Sequence, residues 1–383
     1  MKILIVRPTP NKVNLSSYNL QEIGLAKALV RKGHICDVAY YCGKEKSHTE
    51  KIEFDKDKSI NIHWLHGFNI LREGIYPDLK KIAKNYDVIQ VGGHESLTSC
   101  MLNRKFGDKV VNYQGPYYCK NNKGDIKKSM IFDKTILPLS HKKNMIVGTK
   151  SVLATDYLKS KGVKEVTTIG VGLDLSNIIK PNSKLGKNEF IETLKKIKKK
   201  NDKYLLYVGV LEDRRNIPFI LEVLKEVVKI NKNYKLIIVG KGKPEYIEVC
   251  RNLVKEYKLK DNIIYQERLE QKYMDKLYGL ADAFLLPTKY EIFGMVLLEA
   301  MYFKLPVFTT YNGGSSTLMN DKNGVVINNF NSKEWADEIT KLLENKKRLK
   351  EIKENAHKTI ADNYTWDVLA DKFLLLYNKR LKK

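Results

Sequence analysis

Apolar residues in this chain come in short runs separated by longer amphipathic stretches. Lys2-Ile-Leu-Ile-Val6 reads as a strand, and residues 21–31 carry apolar side chains at 23, 25, 26, 29 and 30, a helical stripe that Gly33 stops. Residues 35–41, 61–65, 87–91 and 109–113 read as further strands, with helical segments between most of them. Such alternation predicts an α/β fold in which a parallel sheet is covered on both faces and ligands sit at the carboxyl ends of the strands. The alternation resumes at Tyr204 and continues to about residue 355. Within it, Ala283-Phe-Leu-Leu-Pro287 is a run of buried-strand type, Thr288-Lys-Tyr-Glu-Ile-Phe-Gly294 a loop, and residues 295–303 a helix that is apolar nearly all round.

Between the halves the pattern thins. Residues 175–202 are poor in core positions and rich in charge, although Phe190, Ile191, Leu194 and Ile197 could line one face of a short helix. Lys195, Lys196 and Lys198 to Lys200 form a basic run, read either as solvated linker or as a surface for anionic lipid. At 383 residues and 43% hydrophobic content the chain can bury two cores. The first seven residues hold too short an apolar run for a signal peptide, and no stretch approaches a membrane span, so a cytoplasmic location is expected. The five cysteines, at 36, 42, 100, 119 and 250, contain no C-x-x-C pair and are expected to be reduced.

Lys and Arg number 69 against 44 acidic residues, a net charge of +25. Nucleic acid is set aside as a partner because no helix-turn-helix, RNP-like or zinc-finger pattern shapes that charge. An anionic membrane surface and simple solubility remain as readings. Asp55-Lys-Asp57 has the spacing of a metal-binding D-x-D, but it lies in a charged segment, and no metal is expected.

The strongest chemical signal is Glu291-Ile-Phe-Gly-Met-Val-Leu-Leu-Glu299, two carboxylates bracketing a glycine turn and an apolar helix. A helix starting near Gly294 would point backbone N–H groups and a positive dipole end beyond the strand, which suits a phosphate. Glu299 lies roughly 7 Å further along the axis, the scale of the step from diphosphate to ribose. A carboxylate in so apolar a helix needs donors, and ribose hydroxyls would supply them.

These residues resemble the E-x7-E signature of family 4 retaining glycosyltransferases with the GT-B fold. Val208-Gly-Val-Leu-Glu-Asp-Arg-Arg-Asn216 is similar to the family's G-R-L-x-x-x-K-G segment, Leu236-Ile-Ile-Val-Gly-Lys-Gly242 to its strand and G-x-G turn, and Leu305-Pro-Val-Phe-Thr-Thr-Tyr-Asn-Gly-Gly314 to its G-x-P-V-x-x-T-x-x-G-G segment. The ordered set covers about residues 200–330. The resemblance implies two facing Rossmann-like domains with an interdomain cleft. The first, the acceptor-side domain, spans 1–175, closed by Gly170-Val-Gly-Leu-Asp174 and joined by a returning helix at 364–383; a basic linker spans 176–202; the nucleotide-sugar domain spans 203–363.

By the same resemblance Gly209, Arg214 and Arg215 would hold the donor's diphosphate, with Arg215 in place of the family's lysine. The family's preceding arginine falls on Val210, which cannot contact phosphate. Gly240, Gly242 and Arg268 would lie beside the nucleotide. Phe293, Gly294 and Met295 would approach the diphosphate, Glu299 the ribose, and Glu291 the donor sugar. In the first half the family's glycine pair is replaced by a loop containing Ser16 and Ser17, and its histidine by Gln114. Gln114 can hydrogen-bond a sugar but is no acid or base, which leaves His94 as the other polar candidate for catalysis, read also as an ordinary hydrogen-bonder.

The implied activity is retaining transfer of a hexose, without cofactor or metal, from a nucleoside-diphosphate sugar to a glycan or lipid-linked acceptor in polysaccharide or glycoconjugate synthesis. UDP-sugar is the default donor, and peripheral attachment to the inner membrane face fits the charge. A nucleotide-sugar epimerase and a non-catalytic GT-B partner subunit stay open as alternatives.

Overall fold

The computed structural model describes residues 1–15, 20–70, 73–93, 96–117, 123–140, 144–175 and 188–382. The chain divides into two compact units, Met1–Asp174 with Tyr364–Lys383, and Leu175–Asn363.

The first unit contains β1 (Lys2–Val6), β2 (Ile35–Gly43), β3 (His48–Phe54), β4 (Lys58–His66), β5 (Phe68–Ile70), β6 (Glu73–Ile75), β7 (Val88–Gly92), β8 (Val110–Gln114), β9 (Ile146–Thr149) and β10 (Glu165–Thr168). Eight of them form one sheet in the order β10-β9-β8-β7-β1-β2-β4-β3, while β5 and β6 pair separately. Ile3, Leu4, Ile5 and Val6 are all buried, as a strand covered on both faces requires. The sheet is parallel except for β3, which runs antiparallel to β4 at the edge. Thr49, Glu50, Lys51 and Glu53 fill that strand with polar and charged side chains, so it has no apolar run to announce it. Charge on such an edge also discourages pairing with another chain. Asp55 and Asp57 lie in the turn after β3, both with positive φ, and Asp55 bonds Arg31 at 2.8 Å.

The C-terminal helix Trp366–Leu381 belongs to this first unit. Trp366 is 3% exposed and fills a slot between Gly24 and Gly172, where an added Cβ would approach its ring to 2.4 and 2.5 Å. Tyr377 donates to Gln90 Oε1 at 2.6 Å, Phe373 packs edge-on against Tyr113, and Arg31 and Lys32 pair with Asp367 and Asp371 at 3.2 and 2.8 Å.

The second unit has a six-stranded parallel sheet, β11 (Lys203–Val208), β12 (Tyr234–Val239), β13 (Ile263–Gln266), β14 (Ala283–Leu286), β15 (Val307–Thr309) and β16 (Val325–Val326), in the order β13-β12-β11-β14-β15-β16. Residues 188–202, on the sequence a piece of linker, are packed into this unit. Asn188 caps the helix Glu189–Ile197 by accepting from Ile191 N, Ile191 and Leu194 are fully buried, and Lys198 donates to Leu280 O at 2.6 Å and Asp282 Oδ2 at 2.9 Å.

Cys36, Cys42, Cys100 and Cys250 are free and buried; Cys119 lies outside the described residues. No helix among the described residues is long and apolar enough to cross a membrane.

Candidate functional site

Each sheet reverses its strand order once: between β1 and β7 in the first unit, and between β11 and β14 in the second. At such a point the loops diverge to opposite faces and leave a crevice at the strand ends, the usual ligand position in open α/β sheets.

In the second unit the loops after β11 and β14 meet at this point. The turn Asp213–Arg215 is followed by Asn216 in left-handed conformation and then by the helix Ile217–Ile230. The carbonyl of Arg214 accepts from Thr288 Oγ1 at 2.9 Å and from Lys289 N at 2.8 Å, which ties the two loops together. The guanidinium of Arg215 donates to Glu291 Oε2; that of Arg214 reaches Tyr290 O at 3.2 Å and the same Glu291 oxygen at 3.4 Å. Two cations therefore converge on one largely buried carboxylate. Glu212 takes up Arg214 Nε at 2.7 Å, whereas Arg215 Nε is buried and has no hydrogen-bond partner among the described residues.

The loop after β15 supports this cluster from behind. Thr309 and Thr310 donate to the carbonyls of Leu286 and Thr288 at 2.7 and 2.6 Å, and Gly313 N donates to Glu291 O at 2.9 Å. A Cβ on Gly314 would stand 1.8 Å from Phe293 O, so backbone meets backbone there. Asn312 holds the turn by accepting from Gly314 N and Ser315 N. The glycine-rich segment singled out in the sequence thus supports the loop carrying Glu291. Gly240 plays a similar part, since its Cβ would come within 1.8 Å of Gly209 O, and Gly242 packs on Leu211, to which it is bridged.

Gly294, at φ +79°, precedes the helix Met295–Tyr302. Glu299, 4% exposed on that helix, accepts from Tyr278 Oη at 2.8 Å. Phe293 is buried, and Arg268 is exposed in the loop after β13, its carbonyl accepting from Gln266. Of the residues predicted from sequence, Arg214, Arg215 and Glu291 are in direct contact.

The first unit carries a pocket of about 440 Å³ at its own reversal point. Arg7 follows β1, Gly93 follows β7, Gly115 and Pro116 follow β8, and Lys150 follows β9; Glu22, Glu73, Gln90 and Trp366 complete much of the wall. Gln114 does not line it. That side chain is fully buried, and its amide donates to Pro116 O at 3.1 Å. His94, like Ser16 and Ser17, lies outside the described residues. Arg7, Glu22 and Lys150 escaped the sequence reading; the signal that could have found them is a charged residue just past the carboxyl end of a strand, or in the first turn of the following helix.

Residues 190–359 match the family described as glycosyl transferases group 1. The match covers most of the second unit. A probable sucrose-phosphate synthase of Thermosipho melanesiensis is 33% identical over 175 residues, 44% of this chain and 40% of that protein. The capsular polysaccharide biosynthesis glycosyltransferase CapM of Staphylococcus aureus is 24% identical over 264 residues, 65% of this chain and 66% of its own. The chain spans less than half the length of several other curated relatives it matches. Among solved structures, Anabaena HepE in complex with UDP aligns with a TM-score of 0.72 at 14% identity, over 99% of this chain and 100% of that one. Likeness of this extent shows the GT-B fold for the whole chain.

Proposed function

We propose that this protein is a retaining glycosyltransferase of the family 4 kind, which moves a hexose from a nucleoside-diphosphate sugar to a glycan or lipid-linked acceptor. The observation that carries this reading is the Arg214, Arg215 and Glu291 cluster at the reversal point of the second sheet, with its buried Arg215 Nε, unpartnered among the described residues. A diphosphate oxygen would satisfy that donor, and guanidinium forks match phosphate geometry. The N-terminus of the helix Met295–Tyr302 adds further positive potential. Uridine as the base is supported by the UDP found with HepE.

In the proposed reaction the bond between the sugar's anomeric carbon and the β-phosphate oxygen breaks, and charge builds on the diphosphate as the ring becomes oxocarbenium-like. Arg214 and Arg215 offset that charge without a metal. The acceptor hydroxyl oxygen bonds to the anomeric carbon on the face the diphosphate leaves, and its proton passes to the departing phosphate oxygen. Glu291, released from Arg215 by the diphosphate, would accept hydrogen bonds from the sugar's hydroxyls, and Glu299 would do so from the ribose.

A thermal-shift series with UDP, GDP and their sugars tests the donor site, because a ligand at about 100 times its Kd adds roughly 2.7 kcal/mol of stability. Stabilisation by one nucleotide series is expected, and none by any would overturn the reading. Product analysis then separates transfer with retention from epimerisation, and full activity after chelation is expected of a metal-independent enzyme. The net charge of +25 favours an anionic membrane surface near the acceptor, reached from the cytoplasm. Vesicle co-sedimentation should show binding to anionic lipid that salt abolishes; binding to neither anionic nor neutral lipid removes the membrane from the proposal.

A further inference from the structure

The first unit carries a second depression, which shares no wall residue with the pocket at the reversal point of its sheet. It has two adjoining parts, of about 270 and about 400 Å³, joined at Lys80, Leu97 and Met101. The helix Leu97–Phe106 runs along it. Leu97, Met101, Arg104 and Lys105 recur at i, i+4, i+7 and i+8 and so share one face, about 12 Å long at about 1.5 Å per residue. The other side of this helix meets the core, with Thr98, Ser99, Leu102 and Asn103 buried, so the Leu97 face is a second, outward one. Leu97 is 39% exposed. Ile75, on β6, closes one end at 40% exposure, and Ile136 and Leu139 of the helix Lys123–Leu139 close the other, Leu139 at 49%.

The rim is of one sign. Lys80, Arg104 and Lys105 are exposed, none of them is in an ion pair among the described residues, and no Asp or Glu is found among the described residues that line either part. We infer that this groove docks a partner protein, which enters it as an acidic amphipathic helix. An apolar face of about two turns takes a helix whose own anchors recur at the same spacing, and the three cations pair with Asp or Glu flanking those anchors. Met101 and Ile136 are half-buried within the concavity, where the side chains of a helix reach and a flat lipid surface does not. A second copy of this chain would bring a net charge of +25 against a basic rim, so charge selects a different protein. The inference goes beyond the transferase reading and stands whether or not the chain transfers sugar.

Selection from a display library of peptides of about 16 residues, some four helical turns, tests it on the full chain, with the Leu97→Asp protein as counter-selection. Peptides that the wild type retains and the variant releases are expected to carry Leu, Ile or Phe at i, i+4 and i+7, with Asp or Glu between them. Fluorescence anisotropy with a selected peptide should then show a loss of about tenfold or more for Leu97→Asp, which sets an unpaired carboxylate against an apolar anchor. Arg104→Glu combined with Lys105→Glu should lose as much, and raised salt should weaken the wild-type complex. Both of those side chains are exposed, so this double variant is expected to keep the wild-type unfolding temperature and tests the groove even where Leu97→Asp does not fold. No peptide that tells the wild type from the variants, selected peptides without acidic residues, or equal affinity for the charge-reversed protein would overturn the proposal. Binding to anionic vesicles that the same substitutions abolish, with no peptide selected, would give the groove to a lipid surface and overturn it likewise.

Discussion

In the first unit the charges at the reversal point stand apart: Lys150 faces an aromatic ring, and Arg7 and Glu22 meet only at 4.0 Å. In the second they are closed on one another, with Arg214 and Arg215 both bonded to Glu291. The two sheets share their topology, so the contrast comes from loop length. Arg7 and Lys150 are the first residues past their strands, fixed by backbone and unable to reach far. Arg215 and Glu291 lie on longer loops that approach across the crevice until opposite charges meet. A closed set must be opened, so under the proposed function a diphosphate would compete with Glu291 for Arg215 before the carboxylate met a sugar.

The largest expected effect falls on the first unit. Trp366→Ala empties the slot between Gly24 and Gly172 and should cost about 3–5 kcal/mol, read as a fall in the midpoint of denaturant unfolding. An unchanged midpoint would mean that the returning helix is not part of that core. Arg215→Ala should weaken UDP by about 1.5–3 kcal/mol in calorimetry and leave uridine unaffected, because the lost partner is phosphate charge. Equal loss for both ligands would remove Arg215 from the diphosphate.

Gly314→Ala drives a methyl group against Phe293 O and should cost about 1–3 kcal/mol of stability, with UDP binding impaired and peptide binding in the first unit's groove retained. Impairment of both would show that the two sites are not built separately. Glu291→Gln removes the charge that competes for Arg215, so UDP should bind at least as well while sugar transfer slows; Glu299→Gln should weaken UDP itself. The reverse pattern would exchange the two roles.

Much of this molecule was legible in the sequence. Runs such as Ile3 to Val6 and Ala283 to Leu286 announced buried parallel strands, because a strand covered on both faces must be apolar throughout. The order of motifs from Val208 to Gly314 was enough to bring Arg214, Arg215 and Glu291 forward as one site. Edge strand β3 was not legible, since a solvated edge carries no apolar run; the short helix at 189–197 was legible from Ile191 and Leu194, but its lysines left open whether that helix joined a core or stayed in a linker. The sequence also could not separate glycines that approach a ligand from those that let one loop lie on another; a Cβ at Gly240 or Gly314 meets backbone. Above all, Arg7, Glu22 and Lys150 are far apart in the chain, and each alone is an ordinary surface residue. Periodicity reports what is near along a strand or helix, whereas strand order decides which distant loops share a crevice, and that order was settled only when the sheet assembled.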